Sequence, residues 1–90
     1  MRRTEVKVVN PLGLHARAAA QLVRLSATFS SKITLQRNDN GGSANAKSIL
    51  SLLALAVSHG ATVLIEVEGQ DENEAIDAVE LLFAKGFGEM

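Results

Sequence analysis

Asn10-Pro11-Leu12-Gly13-Leu14-His15-Ala16-Arg17-Ala18-Ala19-Ala20 is a tight loop followed by the opening of a helix, and its reading decides the fold. Upstream, Glu5-Val6-Lys7-Val8-Val9 alternates, which predicts a strand with Val6 and Val8 inward that Pro11 and Gly13 bring to an end. Downstream, from Ala16 to about Phe29, the period becomes helical. Ala18, Leu22, Leu25 and Phe29 fall on one predicted buried stripe, while Arg17, Ala20, Arg24 and Ala27 form a small, basic stripe opposite.

This arrangement puts His15 at or beside the N-cap of the first helix. The N–H groups of a helix's first turn lack intrahelical acceptors, and the macrodipole adds partial positive charge, so the backbone of Ala16 and Arg17 predicts an anion site. The imidazole brings a nucleophilic lone pair and Arg17 a guanidinium suited to phosphoryl oxygens. A solvated cap histidine would have the same local sequence, so the remaining chain must decide between the two.

Lys32-Ile33-Thr34-Leu35-Gln36 alternates with Ile33 and Leu35 inward, Asn38-Asp39-Asn40-Gly41-Gly42 is a turn, and a short strand is expected around Ser43-Ala44-Asn45. Lys47 to Gly60 predicts a second helix, opened by Ser48 or a neighbour and closed by Gly60, with almost no polar face. With Leu52, Leu55 and Ala56 toward the core, Ile49, Leu50 and Leu53 are left as an apolar patch beside the first helix's N-terminus, of the kind that marks an interface. Thr62 to Glu68 alternates with Val63, Ile65 and Val67 inward, and Asp71 with Glu74 suggests a capping box. Ile76, Val79, Leu82 and Phe83 then line a third helix that Gly86 ends, to which no chemistry is assigned. The element order is β-α-β-β-α-β-α. Three helices are expected on one face of a four-stranded sheet, with Lys7, Thr34, Gln36, Glu66 and Glu68 facing water; pattern alone also allows a ferredoxin-like sheet.

Gly13-Leu14-His15-Ala16-Arg17, with Lys47-Ser48-Ile49 as a second landmark, resembles the HPr family, the small phosphocarriers of the bacterial phosphotransferase system. The resemblance covers essentially the whole chain. It departs at Ala18, where the family most often has proline; alanine loses rigidity in the first turn but no chemistry. The resemblance implies an α+β open-faced two-layer sandwich with an antiparallel sheet in the order 1-4-2-3. It also implies a relay in which His15 accepts a phosphoryl group from phosphorylated enzyme I and passes it to a histidine of an enzyme IIA-type acceptor. The family places the phosphate on Nδ1, with Arg17 and the Ala16 and Arg17 backbone as phosphate partners. The first two helices would dock partners, here through Ala20, Arg24, Ala27, Lys47, Ile49, Leu50 and Leu53. In some members the serine of the Lys-Ser-Ile setting is phosphorylated by an HPr kinase/phosphorylase, which makes Ser48 the candidate regulatory site. Phosphate there would add negative charge beside Ile49 and Leu50 and repel acidic partners. The Arg37–Gly42 turn and Gly86-Phe87-Gly88 look like the nitrogen-related paralogue NPr, whereas Lys47-Ser48 looks like the kinase-regulated sugar-transport type.

Composition bounds the rest. Ninety residues suit a single domain over 1–90, too little for an enzyme with a separate substrate domain, and the resemblance implies a carrier and not an enzyme in its own right. With no cysteine there is neither a disulfide framework nor a thiolate metal site, and no metal or cofactor is expected. The longest apolar run is too short for membrane insertion, and Met1-Arg2-Arg3 leads into a strand pattern instead of a signal region, which predicts a cytoplasmic protein. Residues 1–60 carry eight Lys/Arg and two acids, residues 61–90 one Lys and eight acids; the basic part either steers acidic partners or is simply a solvated face. Three Phe and no Tyr or Trp argue against a nucleic-acid platform on the open sheet. A regulatory module that binds through Ser48 without relaying phosphate is disfavoured by the presence of His15. His59 is expected as a helix-end cation or solvated residue, and a monomer is expected because the apolar patch must stay free.

Overall fold

The structure, a computed structural model, describes residues 1–39 and 41–89. The chain runs β1 (Arg2–Lys7), α1 (Ala16–Ser26), β2 (Lys32–Arg37), β3 (Ser43–Asn45), α2 (Ile49–Leu55), β4 (Thr62–Glu68) and α3 (Glu72–Ala84), followed by a 3-10 turn at Gly86–Gly88. All pairings are antiparallel and the sheet order is β1-β4-β2-β3, so the HPr-like order holds and the ferredoxin-like alternative does not. Asn40, part of the expected β2–β3 turn, lies outside the described residues.

Alternation in β2 and β4 builds the floor of the core. Val63, Ile65, Val67, Ile33 and Leu35 are fully buried on one face, with Ile33 opposite Val67 and Leu35 opposite Ile65. The opposite face carries the expected polar residues, including the directly opposed Arg3 and Glu66, whose Nε and Oε2 are 2.9 Å apart.

Several boundaries differ from the sequence reading. β1 starts at Arg2 because β4 offers ladder partners along its whole length, and Val6 is only half-buried while Val8, just past the strand, is fully buried. Val8 still accepts from the Gly60 N–H and donates to the Ala61 carbonyl. α1 stops at Ser26, three residues early. The Thr28 and Phe29 N–H groups fall back on the Leu25 and Ser26 carbonyls, which tightens the chain into a turn and leaves Leu25 and Phe29 half-buried. Ser26, four residues after Leu22, takes the buried place instead.

α2 is only seven residues long and ends through Ala56, which adopts a left-handed conformation (φ 56°), not through Gly60. The reversal turns Ala56 to solvent and buries Val57 in its stead. Ser48 caps α2 as expected, its Oγ accepting from the Ser51 N–H at 3.3 Å. Asp71, in contrast, does not build a capping box at α3. Its carboxylate reaches away to accept from the Ser30 N–H (2.8 Å), the Ser31 N–H (2.9 Å) and the Ser31 hydroxyl. The Ser31 hydroxyl and the two backbone N–H groups lower this carboxyl to about 2. The clasp therefore contributes stability above pH 3.8 and loses it as the pH falls through about 2.

Leu52 is fully buried whereas Leu50, on the same helix, is 77% exposed. Leu52→Ala should cost about 2–5 kcal/mol in urea unfolding and Leu50→Ala within about 0.5 kcal/mol.

Candidate functional site

Three segments meet around His15: the 10–14 loop, the 56–59 segment after α2, and the turn after α3. The loop is held by backbone geometry. Gly13 has φ +65°, and a Cβ there would lie 2.6 Å from the Val57 carbonyl oxygen, so only glycine lets the loop lie flat on that segment. The next N–H, from Leu14, donates to the same carbonyl at 3.0 Å, and the Leu14 side chain is buried. His15 follows as the N-cap of α1 in extended conformation (φ −76°, ψ −177°), its carbonyl accepting from the Ala19 N–H at 2.8 Å. The ring takes no part in capping. The N–H groups of Ala16, Arg17 and Ala18 therefore precede the first intrahelical bond, at the positive end of the helix.

The ring is engaged elsewhere. His15 Nε2 contacts Glu89 Oε2, and the other carboxylate oxygen of Glu89 accepts from Asn10 Nδ2 at 2.9 Å. Asn10 is fully buried and also donates from Nδ2 to the Gly13 carbonyl at 2.7 Å, so two acceptors fix the orientation of its amide. The Asn10 hydrogen bond, with His15 and Arg17 nearby, holds the Glu89 carboxyl below the ordinary range. Neither Asn10 nor Glu89 was singled out from the sequence. Asn10 reads as a turn residue, and the segment after α3 carries no periodic pattern.

Arg17 is exposed beside the helix end, as are Arg24 and Ala27 along α1, with Ala20 half-buried between them. Lys47 is less free: its Nζ donates to the Phe29 carbonyl at 2.7 Å, just past the end of α1. That bond also orients α2. Its Ser48 end lies by the Phe29 end of α1, and its other end, through Val57, reaches the loop under His15. Ile49, Leu50 and Leu53 are exposed as expected, and α2 opens on the side of Phe29, past the end of α1. His59 is not at a helix end: it sits in a turn and, with Pro11, Leu12, Leu14, His15 and residues 56–58, lines a shallow depression of about 500 Å³. Among the described residues no group of three or more His, Asp or Glu could hold a metal ion, and no helix is long and apolar enough to cross a membrane.

An imidazole at a helix N-terminus, beside N–H groups without intrahelical acceptors and with an arginine at hand, is suited to reversible bonding to a phosphoryl group. Comparison with known proteins agrees. The family described as "PTS HPr component phosphorylation site" matches residues 2–85. A phosphocarrier protein HPr from Cupriavidus necator is 44% identical over 89 residues, covering 99% of this chain and 98% of that one. A phosphocarrier protein NPr from Proteus mirabilis is 47% identical over 84 residues, covering 93% and 92%. A crystal structure of HPr from Thermoanaerobacter tengcongensis superposes with a TM-score of 0.93 at 40% identity, covering 100% of this chain and 99% of that one. The chain belongs to the HPr family, whose members, under the names HPr and NPr, are phosphocarriers.

Two outcomes follow. Gly13→Ala must push the loop off Val57, so it should lower Tm by several degrees and shift the His15 ring resonances, as heteronuclear NMR would show. Because Glu89 titrates below its ordinary value of 4.5, its tie to Asn10 and His15 should be intact above that pH and released as the pH falls below it, which amide exchange at residues 87–89 would report.

Proposed function

We propose that this chain, as one domain over 1–90, is a phosphocarrier of the phosphoenolpyruvate-dependent phosphotransferase system. It accepts a phosphoryl group on His15 from phosphorylated enzyme I and passes it to a histidine of an enzyme IIA-type acceptor. The observation that carries this reading is an N-cap histidine whose ring is not spent on capping, beside three first-turn N–H groups without helical acceptors. Arg17 and the backbone of Ala16 and Arg17 hold the phosphoryl oxygens without a metal. The chain works as a cytoplasmic, monomeric carrier; the enzymes on either side supply the catalysis.

Docking uses the stripe of Ala20, Arg24 and Ala27 together with Ile49, Leu50 and Leu53. The two alanines let a partner approach closely and the three apolar side chains stand exposed. Lys47 contributes charge at the edge while tied to Phe29. Ser48 is the regulatory site for an HPr kinase/phosphorylase. A phosphate there would sit at the start of α2 and set negative charge next to Ile49 and Leu50. The relationship to an NPr protein supports a second set of acceptors, that of a nitrogen-related relay.

Incubation with phosphoenolpyruvate and enzyme I should give acid-labile label on the parent and none on His15→Ala. An unlabelled parent, with enzyme I shown active on another carrier, would overturn the relay and leave regulatory binding through Ser48 as the function. Ser48→Asp should slow transfer from enzyme I by roughly tenfold, about 1.4 kcal/mol of barrier, in a stopped-flow or rapid-quench measurement.

A further inference from the structure

The turn after α3 is built to present one carboxylate. Gly86–Gly88 forms a 3-10 turn in which Phe87 takes a left-handed conformation (φ 56°) that costs a bulky residue energy, and its ring is buried edge-on against Phe83 at 4.9 Å. The Phe87 carbonyl accepts from Gln21 Nε2 of α1 at 3.1 Å, and the Glu89 N–H closes the turn on the Gly86 carbonyl at 3.0 Å. Anchored in this way, Glu89 meets His15 Nε2 with one oxygen and the buried Asn10 amide with the other.

Resting on the carrier reading above, we propose that Glu89, clamped by Asn10, is a positioning residue that assigns the reacting nitrogen of His15. Its carboxylate accepts only, so the ring nitrogen facing it must carry the proton. Nε2 is thereby kept as N–H and the lone pair is placed on Nδ1. In transfer, the Nδ1 lone pair forms a bond to the phosphorus of the phosphorylated donor protein. The bond from phosphorus to the donor's leaving atom breaks, with its electron pair staying on the donor. The Nε2 proton does not move, and the positive charge that develops on the ring faces Glu89. Onward transfer to an acceptor nucleophile reverses these changes, and the same carboxylate then holds the neutral ring in the starting tautomer. The two donors, His15 Nε2–H and Asn10 Nδ2–H, face different oxygens of Glu89, and a glutamine at 89 would turn its oxygen to one of them and its NH2 group to the other.

The test is nitrogen-15 NMR of the His15 ring at a pH where it is neutral, together with labelling by phosphorylated enzyme I. The parent should show a protonated Nε2 and an unprotonated Nδ1. In Glu89→Ala the two shifts should move toward each other as both tautomers become populated, and transfer should slow by roughly tenfold, the scale of one charge-assisted hydrogen bond. Glu89→Gln should fall between the two, and Glu80→Gln, which alters a carboxylate that bonds Thr4 instead, should match the parent. Ring shifts unchanged in Glu89→Ala would overturn the proposal. So would a uniform loss of transfer in Glu89→Ala and Glu89→Gln with the tautomer intact. Absence of label on the parent counts against the carrier reading, while the ring shifts decide the role of Glu89 in either case.

Discussion

β4 is the element on which the other parts depend. Among the described strands it is the one paired over nearly its whole length on both sides, residues 62–67 with β1 on one edge and 63–68 with β2 on the other. Its three inward residues, Val63, Ile65 and Val67, form the centre of the floor on which the helices lie. Because β1 runs along β4 and then stops, the chain leaves the sheet at Val8 beside Gly60 and Ala61, and the 10–14 loop has to cross the segment that leads into β4. The contact of Gly13 and Leu14 with Val57 is the consequence. The candidate site is thus positioned by sheet pairing, and the loop that carries His15 gains its rigidity from a neighbour fixed by the same strand.

The site itself combines fixed backbone with few charges. Helix N–H groups point into it at no cost of rearrangement, and the Glu89 carboxylate is held on the ring's Nε2 side by a buried amide. A carrier must bind phosphate firmly enough to receive it and loosely enough to give it up. Backbone dipoles and one exposed arginine suit that requirement better than a metal or a deep cationic pocket would. The basic, small-residue stripe of α1 and the exposed Ile49, Leu50 and Leu53 of α2 take no part in the ring's contact with Glu89.

The sheet, the order of elements and the N-cap place of His15 were legible because alternation in 33–35 and 63–67 and the Pro/Gly break at 11–13 are local signals. So was the exposed face of Ile49, Leu50 and Leu53, since a helix apolar all round cannot bury every side in so short a chain. What escaped was decided by contacts distant in sequence. Asp71 was drawn from its capping role by two N–H groups and a hydroxyl forty residues earlier. α2 ended at Ala56 because Val57 had to turn inward, although nothing in an alanine announces a left-handed residue. The largest omission was Glu89, whose meeting with His15 spans 74 residues and depends on a buried phenylalanine in a glycine-flanked turn. No periodic or motif-level signal marks such a residue.

The central claim is that phosphorus is carried on one atom of one histidine. Phosphorus-31 NMR of nitrogen-15-labelled protein, recorded after incubation with phosphoenolpyruvate and enzyme I, tests it most directly. The account predicts a single phosphoramidate resonance coupled to Nδ1 of His15. A resonance coupled to Nε2, one arising from His59, or a serine ester in its place would contradict it.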